Sequence, residues 1–186
     1  MKKPSQNIFL IGPMGSGKTT IGKHLAKMFG LEFYDCDQEL ERMTGASVSL
    51  IFDLEGEAGF RVRENLLLKQ LAAKNGVLIA TGGGTVCNEE NRRLLRAHGL
   101  VVYLKTSIDN QLKRLNKDKS RPLLQTEDRT QRLMDLAELR NPLYDATADL
   151  VFSTRNSSVY ATAKALSAAI SKRLDTLGQE QTHADS

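Results

Sequence analysis

Glycines that end in a lysine and a threonine stand near the start of the chain. Gly12 and Gly17 are separated by four residues, and Lys18 and Thr19 follow at once, which is the pattern G-x-x-x-x-G-K-[ST]. Glycines let successive backbone N–H groups turn toward phosphate oxygens, and a helix that begins here adds the positive end of its dipole. The lysine supplies a charge for the β- and γ-phosphates, and the threonine hydroxyl supplies a ligand for Mg²⁺. The spacing predicts a site for a nucleoside triphosphate with magnesium.

The residues around this motif, the P-loop, have the context that it requires. The apolar run Ile8–Ile11 precedes it, and Ile21, Leu25 and Met28 recur after it at helical spacing, up to a helix stop at Gly30. A P-loop alone does not distinguish a kinase from a GTPase or a motor ATPase. No apolar strand ends in the guanine-selective Asn-Lys-x-Asp, and the chain is short for a motor domain. These observations favour a small-molecule phosphotransferase.

Such an enzyme needs a second pocket for the phosphoryl acceptor. Asp35 and Asp37 end the second predicted strand, and in extended chain they would point the same way. Arg61 and Glu64 lie one turn apart on a predicted helix, and the run Gly82–Gly84 follows the third predicted strand. In an open parallel sheet, ligands bind beyond the carboxyl ends of the strands. The carboxylates could bind hydroxyl groups, the guanidinium could bind an anionic group, and the glycine backbone would let a ring come close. We therefore predict that the acceptor pocket lies at this edge of the sheet.

Each of these features also has a simpler interpretation. Asp37 could cap the following helix, which we predict over Gln38–Arg42. Arg61 and Glu64 could be an exposed i, i+3 ion pair worth only ~0.2–0.5 kcal/mol. The three glycines could form no more than a tight turn.

The elements that must position these residues follow from hydrophobic periodicity. Strands that alternate with helical segments predict an α/β fold with a parallel sheet. Five apolar runs bounded by turn residues predict its strands: Ile8–Ile11, Glu32–Tyr34, Val77–Ala80, Val101–Leu104 and Leu150–Phe152. A last helix begins after the possible caps Ser157 and Ser158. We expect one domain over residues 1–177, with the acceptor segment at about 35–64, and a disordered polar tail over 178–186.

One charged stretch interrupts this alternation. Residues 114–128, "RLNKDKSRPLLQTED", follow a helix whose apolar face ends abruptly. Such a segment is a solvated loop in most proteins. In a nucleotide-binding enzyme it can also be a mobile lid that closes over the substrates.

Composition limits the class of protein. The chain has 186 residues and a net charge of +4, without the long basic run typical of nucleic-acid binding. Its two cysteines, Cys36 and Cys87, are too few for a disulfide-rich secreted fold, and we expect no chemistry from them. The apolar runs are too short for a signal peptide or a membrane span. We therefore expect a cytoplasmic monomer that binds small anions, with neither nucleic acid nor membrane as a partner.

Taken as a set, these motifs resemble those of shikimate kinases in order and spacing. The matching positions run from Asn7 to Leu174. The segments that carry the resemblance are Gly12–Thr19, Asp35–Asp37, Phe60-Arg61 with Glu64, Gly82–Gly84, Arg121–Leu124 and Arg140–Tyr144. The resemblance implies a three-layer P-loop kinase fold with a central five-stranded parallel sheet, flanking helices and a mobile lid. It also implies transfer of the γ-phosphoryl group of ATP to the 3-hydroxyl of shikimate, on the pathway to aromatic amino acids.

The resemblance also implies a role for individual residues. The residues implied for ATP binding are Gly15, Ser16, Gly17, Lys18, Thr19, Thr20, Arg114, Arg121 and Arg155. Those implied for shikimate binding are Asp37, Arg61, Gly82, Gly83, Gly84 and Arg140. Those implied for catalysis are Lys18, Asp37 and Arg121, and those implied for Mg²⁺ are Thr19 and, through water, Asp35.

Three points stay open at the level of the sequence. Asp37 could act as a general base or only hold the acceptor hydroxyl. A kinase for another polyol acid, such as gluconate, would share the P-loop. A binding module that responds to nucleotide without transferring phosphate would share it too, although the intact Lys18, Thr19, Asp37 and Arg121 argue against it.

Overall fold

The computed structural model describes residue 4 and residues 6–115, 128–154 and 158–184. In these residues one parallel sheet is formed by the strands β1 (Asn7–Ile11), β2 (Glu32–Asp35), β3 (Val77–Ala80), β4 (Gly99–Lys105) and β5 (Leu150–Ser153). The strand order is β2-β3-β1-β4-β5. The expectation of a five-stranded parallel sheet is confirmed. β3 has the predicted bounds, and the other strands are slightly longer than predicted.

Helices connect the strands. They are α1 (Lys18–Phe29), α2 (Cys36–Thr44), α3 (Val48–Ala72), α4 (Glu89–His98), α5 (Ile108–Leu115), α6 (Arg129–Thr147) and α7 (Val159–Ala184). Gly30 ends α1 in the left-handed conformation, as predicted. Ser158 begins α7, since its hydroxyl accepts a hydrogen bond from the N–H of Ala161. None of the helices in the described ranges combines the length and apolar character needed to cross a bilayer.

The core has two halves because the side chains of a strand alternate between the faces of the sheet. On one face, residues such as Phe9, Ile79 and Val101 pack with apolar residues of α2, α3, α4 and α6. On the other face, the alternate residues such as Ile8 and Leu78 pack with α1 and α7. Strands buried on both faces explain the unbroken apolar runs in the sequence. The expected three-layer arrangement is confirmed.

The topology places two loops side by side. β1 lies between β3 and β4, so the chain leaves β1 toward one side of the sheet and leaves β3 toward the other. A crevice opens beyond the carboxyl ends of strands at such a switch point. Thr81, just after β3, ties the two strand ends together, since its backbone N–H donates to the Leu10 carbonyl over 3.0 Å. The P-loop and the glycine run Gly82–Gly84 therefore start next to each other.

A glycine bends α3. Gly56 has φ 69° and ψ −178°, so the helix before it and the helix after it have different axes. The carboxylate of Glu55 and the guanidinium of Arg63 form an ion pair of 2.6 Å across the bend. The rings of Phe52 and Phe60, one from each half, lie 4.6 Å apart between centroids. The sequence predicted only the second half as a helix, and the structure adds the first half as a wall of the site described below.

The two ends of the predicted domain differ from expectation in different ways. The tail expected to be disordered from residue 178 is helical through Ala184. The reason is that Glu, Gln and Ala are good helix formers, so a polar composition after Gly178 does not by itself stop a helix. Most of the predicted lid, 116–127, lies outside the described residues, as do Arg121 and Arg155. The lid expected over 114–128 therefore stays a prediction.

Candidate active site

The P-loop between β1 and α1 needs glycine for its backbone conformation. Gly12, Gly15 and Gly17 have φ values of 141°, 75° and 93°, where residues with a side chain are strained. A Cβ atom on Gly12 would also lie 2.7 Å from the carbonyl oxygen of Leu104. These conformations suit the nest of backbone N–H groups that a phosphate requires.

Lys18 lies across this loop. Its Nζ donates hydrogen bonds to the carbonyl of Gly12 over 2.7 Å and to that of Pro13 over 2.9 Å. The ammonium is therefore held at the centre of the loop, within reach of a phosphate that enters it. Ser16 is fully buried, and its N–H donates to the Pro13 carbonyl, so this residue supports the turn and does not line the cleft.

A cleft of about 630 Å³ opens over the P-loop and is called here the phosphate cleft. It is lined by Met14, Gly15, Gly17, Lys18, Thr19, Thr20, Asp35, Asp37, Thr81, Gly83, Arg114 and Leu115. Apart from Ser16 and the residues outside the described ranges, it brings together the residues expected to bind ATP. A wider cavity continues beyond Arg114 toward the start of α7 and is lined there by Ser158, Val159 and Thr162. Arg114 lines both the phosphate cleft and this cavity. Its guanidinium donates a hydrogen bond to the Gly15 carbonyl over 2.9 Å.

Oxygen ligands suited to magnesium lie in the phosphate cleft. The Thr19 hydroxyl donates to a carboxylate oxygen of Asp35 over 2.5 Å, so the two expected magnesium ligands are adjacent. No cluster of three or more His, Cys, Asp and Glu side chains able to hold a metal occurs in the described part of the chain. This donor set fits Mg²⁺, which takes a few protein oxygens and completes its shell with phosphate oxygens and water.

The two aspartates play different structural roles, and the extended-chain prediction for them is wrong. β2 ends at Asp35, and Asp37 lies in the first turn of α2. Asp35 is the cap of that helix, because its carboxylate accepts from the backbone N–H groups of Asp37 and Gln38. The helix starts two residues before the predicted Gln38 because the capping residue is Asp35. Asp37 thus does not cap α2, and it lines the cleft.

A second cavity, of about 440 Å³, adjoins the first and is called here the acceptor pocket. It is lined by Met14, Asp37, Val48, Phe52, Phe60, Arg61, Glu64, Gly82, Gly83, Gly84 and Arg140. All six residues expected to bind the acceptor are among them. Met14, Asp37 and Gly83 line the phosphate cleft as well, so the two spaces meet at these residues. A hydroxyl in one space can therefore face a phosphate in the other.

Lack of space explains two glycines of the run Gly82–Gly84, namely Gly82 and Gly84. None of these glycines has a positive φ, so their backbone conformation does not require glycine. A Cβ atom on Gly84 would overlap the Arg61 guanidinium, and one on Gly82 would lie 2.6 Å from a carboxylate oxygen of Glu64. Gly83 faces the P-loop, with its Cβ position 3.4 Å from the backbone nitrogen of Met14. The tight-turn interpretation is therefore insufficient, because the absent side chains of Gly82 and Gly84 leave room for the charged groups of Glu64 and Arg61.

Arg61 and Glu64 form a largely buried ion pair. The Nη1 of Arg61 donates to Glu64 over 2.9 Å, and the side chains are 20% and 2% exposed. Burial alone would lower the pKa of Arg61, but the carboxylates of Glu64 and Glu57 outweigh it, so the pKa is raised and the guanidinium stays charged. Burial raises the pKa of Glu64, and the contacts with Arg61 and Thr85 only partly oppose this. The alternative of an exposed surface pair is wrong.

Buried polar side chains hold Glu64 from behind. The Thr85 hydroxyl donates to Glu64 over 2.7 Å, and the side-chain amide of Asn91 donates to the Thr85 carbonyl over 3.1 Å. Asn65 in turn donates to the side-chain oxygen of Asn91 over 2.7 Å. This network fixes the carboxylate and, through it, the guanidinium of Arg61.

Arg140 enters the acceptor pocket from α6. Its side chain is buried, its Nε has no hydrogen-bond partner, and none of the ion pairs in the described residues involves it. A neighbouring tyrosine, Tyr144, donates to the Gly83 carbonyl and stacks on Tyr103 with 4.9 Å between the ring centroids. A buried cation without a carboxylate partner is costly unless an anion joins it. Arg140 is therefore suited to binding an anionic group in this pocket.

Several lining residues were missed at the level of the sequence. Met14 occupies a variable position of the P-loop pattern, which therefore carries no signal for it. Val48 and Phe52 follow Ser47, whose hydroxyl caps α3, and a cap followed by apolar residues at helical spacing could have predicted this helix. The two cysteines are free, Cys36 buried and Cys87 exposed, and burial raises the pKa of the Cys36 thiol, which disfavours the reactive thiolate.

Comparisons with known proteins agree with this geometry. A family model described as shikimate kinase matches residues 14–171 of the chain. A shikimate kinase of Alteromonas mediterranea is 54% identical over 158 residues, which cover 85% of this chain and 92% of that protein. A solved structure of shikimate kinase from Acinetobacter baumannii in complex with shikimate has a TM-score of 0.87 and 46% identity, and the match covers 90% of this chain and 94% of that chain.

A more distant likeness bears on the fold alone. A gluconokinase from Sinorhizobium meliloti 1021 has a TM-score of 0.58 at 15% identity, over 94% of this chain and 98% of that chain. At this identity the likeness shows a shared fold and carries no argument about the acceptor.

Proposed function

The chain belongs to the shikimate kinase family, whose members transfer the γ-phosphoryl group of ATP to the 3-hydroxyl of shikimate, and we propose that it does so with the residues of its two adjoining spaces. ATP occupies the phosphate cleft and shikimate occupies the acceptor pocket. The products are ADP and shikimate 3-phosphate, on the pathway to chorismate and the aromatic amino acids. The observation that carries this proposal is that the two spaces meet at Met14, Asp37 and Gly83.

The P-loop binds the phosphates of ATP. The backbone N–H groups of Gly15 and Gly17 face the phosphate oxygens, and Lys18 turns from the carbonyls of Gly12 and Pro13 to the β- and γ-phosphates. Arg114 lies between the phosphate cleft and the cavity near α7, so it flanks the nucleoside. We assign to Arg155 a place beside the adenine, and to Arg121 a place beside the transferring phosphate, on the sequence resemblance alone.

Thr19 and Asp35 hold the magnesium ion that accompanies ATP. The Thr19 hydroxyl, which donates to Asp35 here, would serve as a ligand of the ion, and Asp35 would hold the ion through water. When bound, the ion neutralises charge that develops on the phosphate oxygens. Asp35 keeps its second role as the cap of α2, so the start of α2 is fixed relative to the metal site.

The acceptor pocket recognises the two ends of shikimate differently. Arg61 and Arg140 bind the carboxylate, because charged hydrogen bonds to a planar guanidinium are each worth ~1.5–3 kcal/mol. Asp37 binds ring hydroxyls at the side that faces the phosphate cleft. The backbone of Gly82–Gly84 lines the pocket without side chains, which leaves room for the ring beside Arg61 and Glu64.

Transfer then depends on position and on charge. Phosphoryl transfer spreads negative charge over the γ-oxygens, so cations and correct alignment supply most of the rate. Asp37 holds the 3-hydroxyl in line and accepts its proton late, because a loose transition state requires little proton removal early. Closure of the predicted lid at 114–128 excludes the water that would otherwise take the phosphoryl group.

An assay of ADP release tests the proposal and its rivals. We expect ADP release with shikimate, and release at the background level with gluconate or with no acceptor. Equal release with gluconate would support the other kinase, and nucleotide binding without release would support a binding module. The expected cytoplasmic location and monomeric state are also proposals, and light scattering in solution tests the second of them.

A further inference from the structure

Arg61 has two carboxylate partners that differ in their surroundings. Its Nη1 donates to Glu64 and its Nη2 donates to Glu57, each over 2.9 Å. The side chain of Glu64 is 2% exposed, whereas that of Glu57 is 52% exposed. One end of the guanidinium is thus held by a buried group and the other by a group in contact with water.

The buried contacts are sufficient to position the guanidinium. Glu64 is itself fixed by the hydroxyl of Thr85, and the Arg61 guanidinium rests against Gly84. The Phe60 ring lies beneath the Arg61 side chain, with its centroid 5.2 Å from the central carbon of the guanidinium. Glu57 therefore adds little to the orientation of Arg61.

The contact between Glu57 and Arg61 affects the charge around the acceptor pocket more than the position of Arg61. The lining of the acceptor pocket contains two carboxylates, Asp37 and Glu64, and two guanidiniums, Arg61 and Arg140. Glu57 is outside this lining, yet its carboxylate touches Arg61, the residue that would bind an incoming carboxylate. With Glu57, three carboxylates stand against the two guanidiniums, and Glu57 accepts a hydrogen bond from an Nη2 group that an anionic ligand can use.

We propose that Glu57 is a specificity-determining residue that competes with the acceptor carboxylate for Arg61. This inference rests on the proposed function. In the free protein Glu57 covers the outer end of the guanidinium, and an acceptor must displace or outweigh it. A ligand whose carboxylate reaches both Arg61 and Arg140 can do so, whereas a small anion that reaches only Arg61 cannot. Glu57 thereby lowers the affinity for every anion and excludes the weak ones.

The test compares two glutamate variants in the full chain. Glu57→Gln removes the charge beside Arg61. Glu89→Gln is the matched control, because Glu89 is likewise an exposed glutamate paired with an arginine at i, i+4, and it lies on α4, outside both the phosphate cleft and the acceptor pocket. The KM for shikimate, the KM for ATP and kcat are measured for both variants and for the wild type. Binding of the carboxamide of shikimate, which is neutral, is measured alongside.

We expect Glu57→Gln to lower the KM for shikimate roughly 1.5- to 5-fold, the range for loss of one exposed ion pair, with kcat and the KM for ATP unchanged. Glu89→Gln should match the wild type, and the affinity for the carboxamide should be the same in all three proteins. An unchanged or higher KM in Glu57→Gln would overturn the inference, since it would make Glu57 a bystander or a positioning residue. A gain of equal size for the neutral carboxamide would overturn it too.

These outcomes are separable from the fate of the proposed function. If the wild type releases no ADP with shikimate, the proposed function fails and the inference fails with it. If the wild type is active and Glu57→Gln behaves as the wild type, only the inference fails.

Discussion

The molecule has two glycine-rich turns that face each other, and they need glycine for different reasons. In the P-loop, Gly12, Gly15 and Gly17 have positive φ values, so the backbone conformation excludes most side chains. In the turn Gly82–Gly84 the backbone is ordinary, and the space of the missing side chains is taken by Arg61 and Glu64. One turn exposes N–H groups to a phosphate, and the other lets side chains from a distant helix approach the backbone.

A glycine run can therefore have either of two causes, backbone conformation or lack of space. Glycines that serve conformation act on the ligand through their own backbone. Glycines that are needed for lack of space act through the neighbouring side chains that occupy this space. The neighbours of Gly82 and Gly84, which are Glu64 and Arg61, therefore determine the chemistry of the acceptor pocket. A substitution in the P-loop should therefore weaken ATP binding alone, and a substitution in the turn Gly82–Gly84 should weaken shikimate binding alone. The following experiments test this independence.

Asp37, which lies where the two spaces meet, should give the largest effect. We expect Asp37→Asn to lower kcat roughly 10³-fold, within the range for loss of a group that handles the transferred proton. Because Asp35 caps α2, the free energy of unfolding should change by less than about 0.5 kcal/mol. Steady-state kinetics and urea unfolding measure the two quantities. Near wild-type turnover would remove Asp37 from the site, and a large loss of stability would mean that it has a structural role.

Arg61 lines the acceptor pocket and not the phosphate cleft, so its substitution tests the acceptor pocket alone. Arg61→Ala should lower kcat/KM for shikimate by about 10², on the order of 3 kcal/mol, with the KM for ATP unchanged. The control is Arg93→Ala, which removes an exposed arginine of α4 that also pairs with a glutamate. A defect in the KM for ATP instead would place Arg61 on the nucleotide side.

A pair of alanine substitutions compares the turns directly. Gly84→Ala places a methyl group against the Arg61 guanidinium, and we expect the KM for shikimate to rise roughly tenfold with the KM for ATP unchanged. Gly15→Ala meets a φ of 75°. That conformation costs a residue with a side chain roughly 1–2 kcal/mol, so the KM for ATP should rise by up to about 30-fold and shikimate binding should persist. If either substitution raised both KM values equally, the two turns would not be independent.

The smallest effect concerns pH and the buried carboxyl of Glu64. Burial raises its pKa, so the folded state binds this proton more readily than the unfolded chain does. The contribution of Glu64 to the free energy of unfolding therefore grows as the pH falls through the raised pKa and is lost as the pH rises through it. In urea unfolding, we expect the wild type to gain stability relative to Glu64→Gln as the pH falls from neutral toward the ordinary pKa of a glutamate. Parallel pH profiles would show that Glu64 is ionised as easily as an exposed glutamate.

The sequence predicts the sheet and the P-loop well because both depend on local patterns. Strands buried on both faces are unbroken apolar runs, and the motif from Gly12 to Thr19 has fixed spacing. The bend at Gly56 was not predicted, since one glycine in a helical pattern can be tolerated or can end the helix. The partners of Gly82 and Gly84 are set by tertiary packing, which explains why the run was a question in the sequence and has an answer in the structure.

The aspartates show a finer limit of the sequence. Asp35 and Asp37 were both expected in the site, yet the extended chain assumed for them ends at Asp35. Which of the two caps α2 depends on where the strand stops, and a shift of two residues exchanges their roles. Arg140 is buried, and no carboxylate of the described residues pairs with it; this depends on the packing of α6, so the sequence could suggest it only through a resemblance.

In the proposed complex, a phosphate of ATP at the P-loop faces the 3-hydroxyl of shikimate at the turn Gly82–Gly84, across Met14 and Gly83. A crystal structure with shikimate and a non-hydrolysable ATP analogue tests it most directly. We expect the γ-phosphorus and the 3-hydroxyl oxygen to lie roughly 3–3.5 Å apart, with the shikimate carboxylate bound to Arg61 and Arg140. Shikimate bound away from Gly82–Gly84, or the two ligands separated by protein, would contradict it.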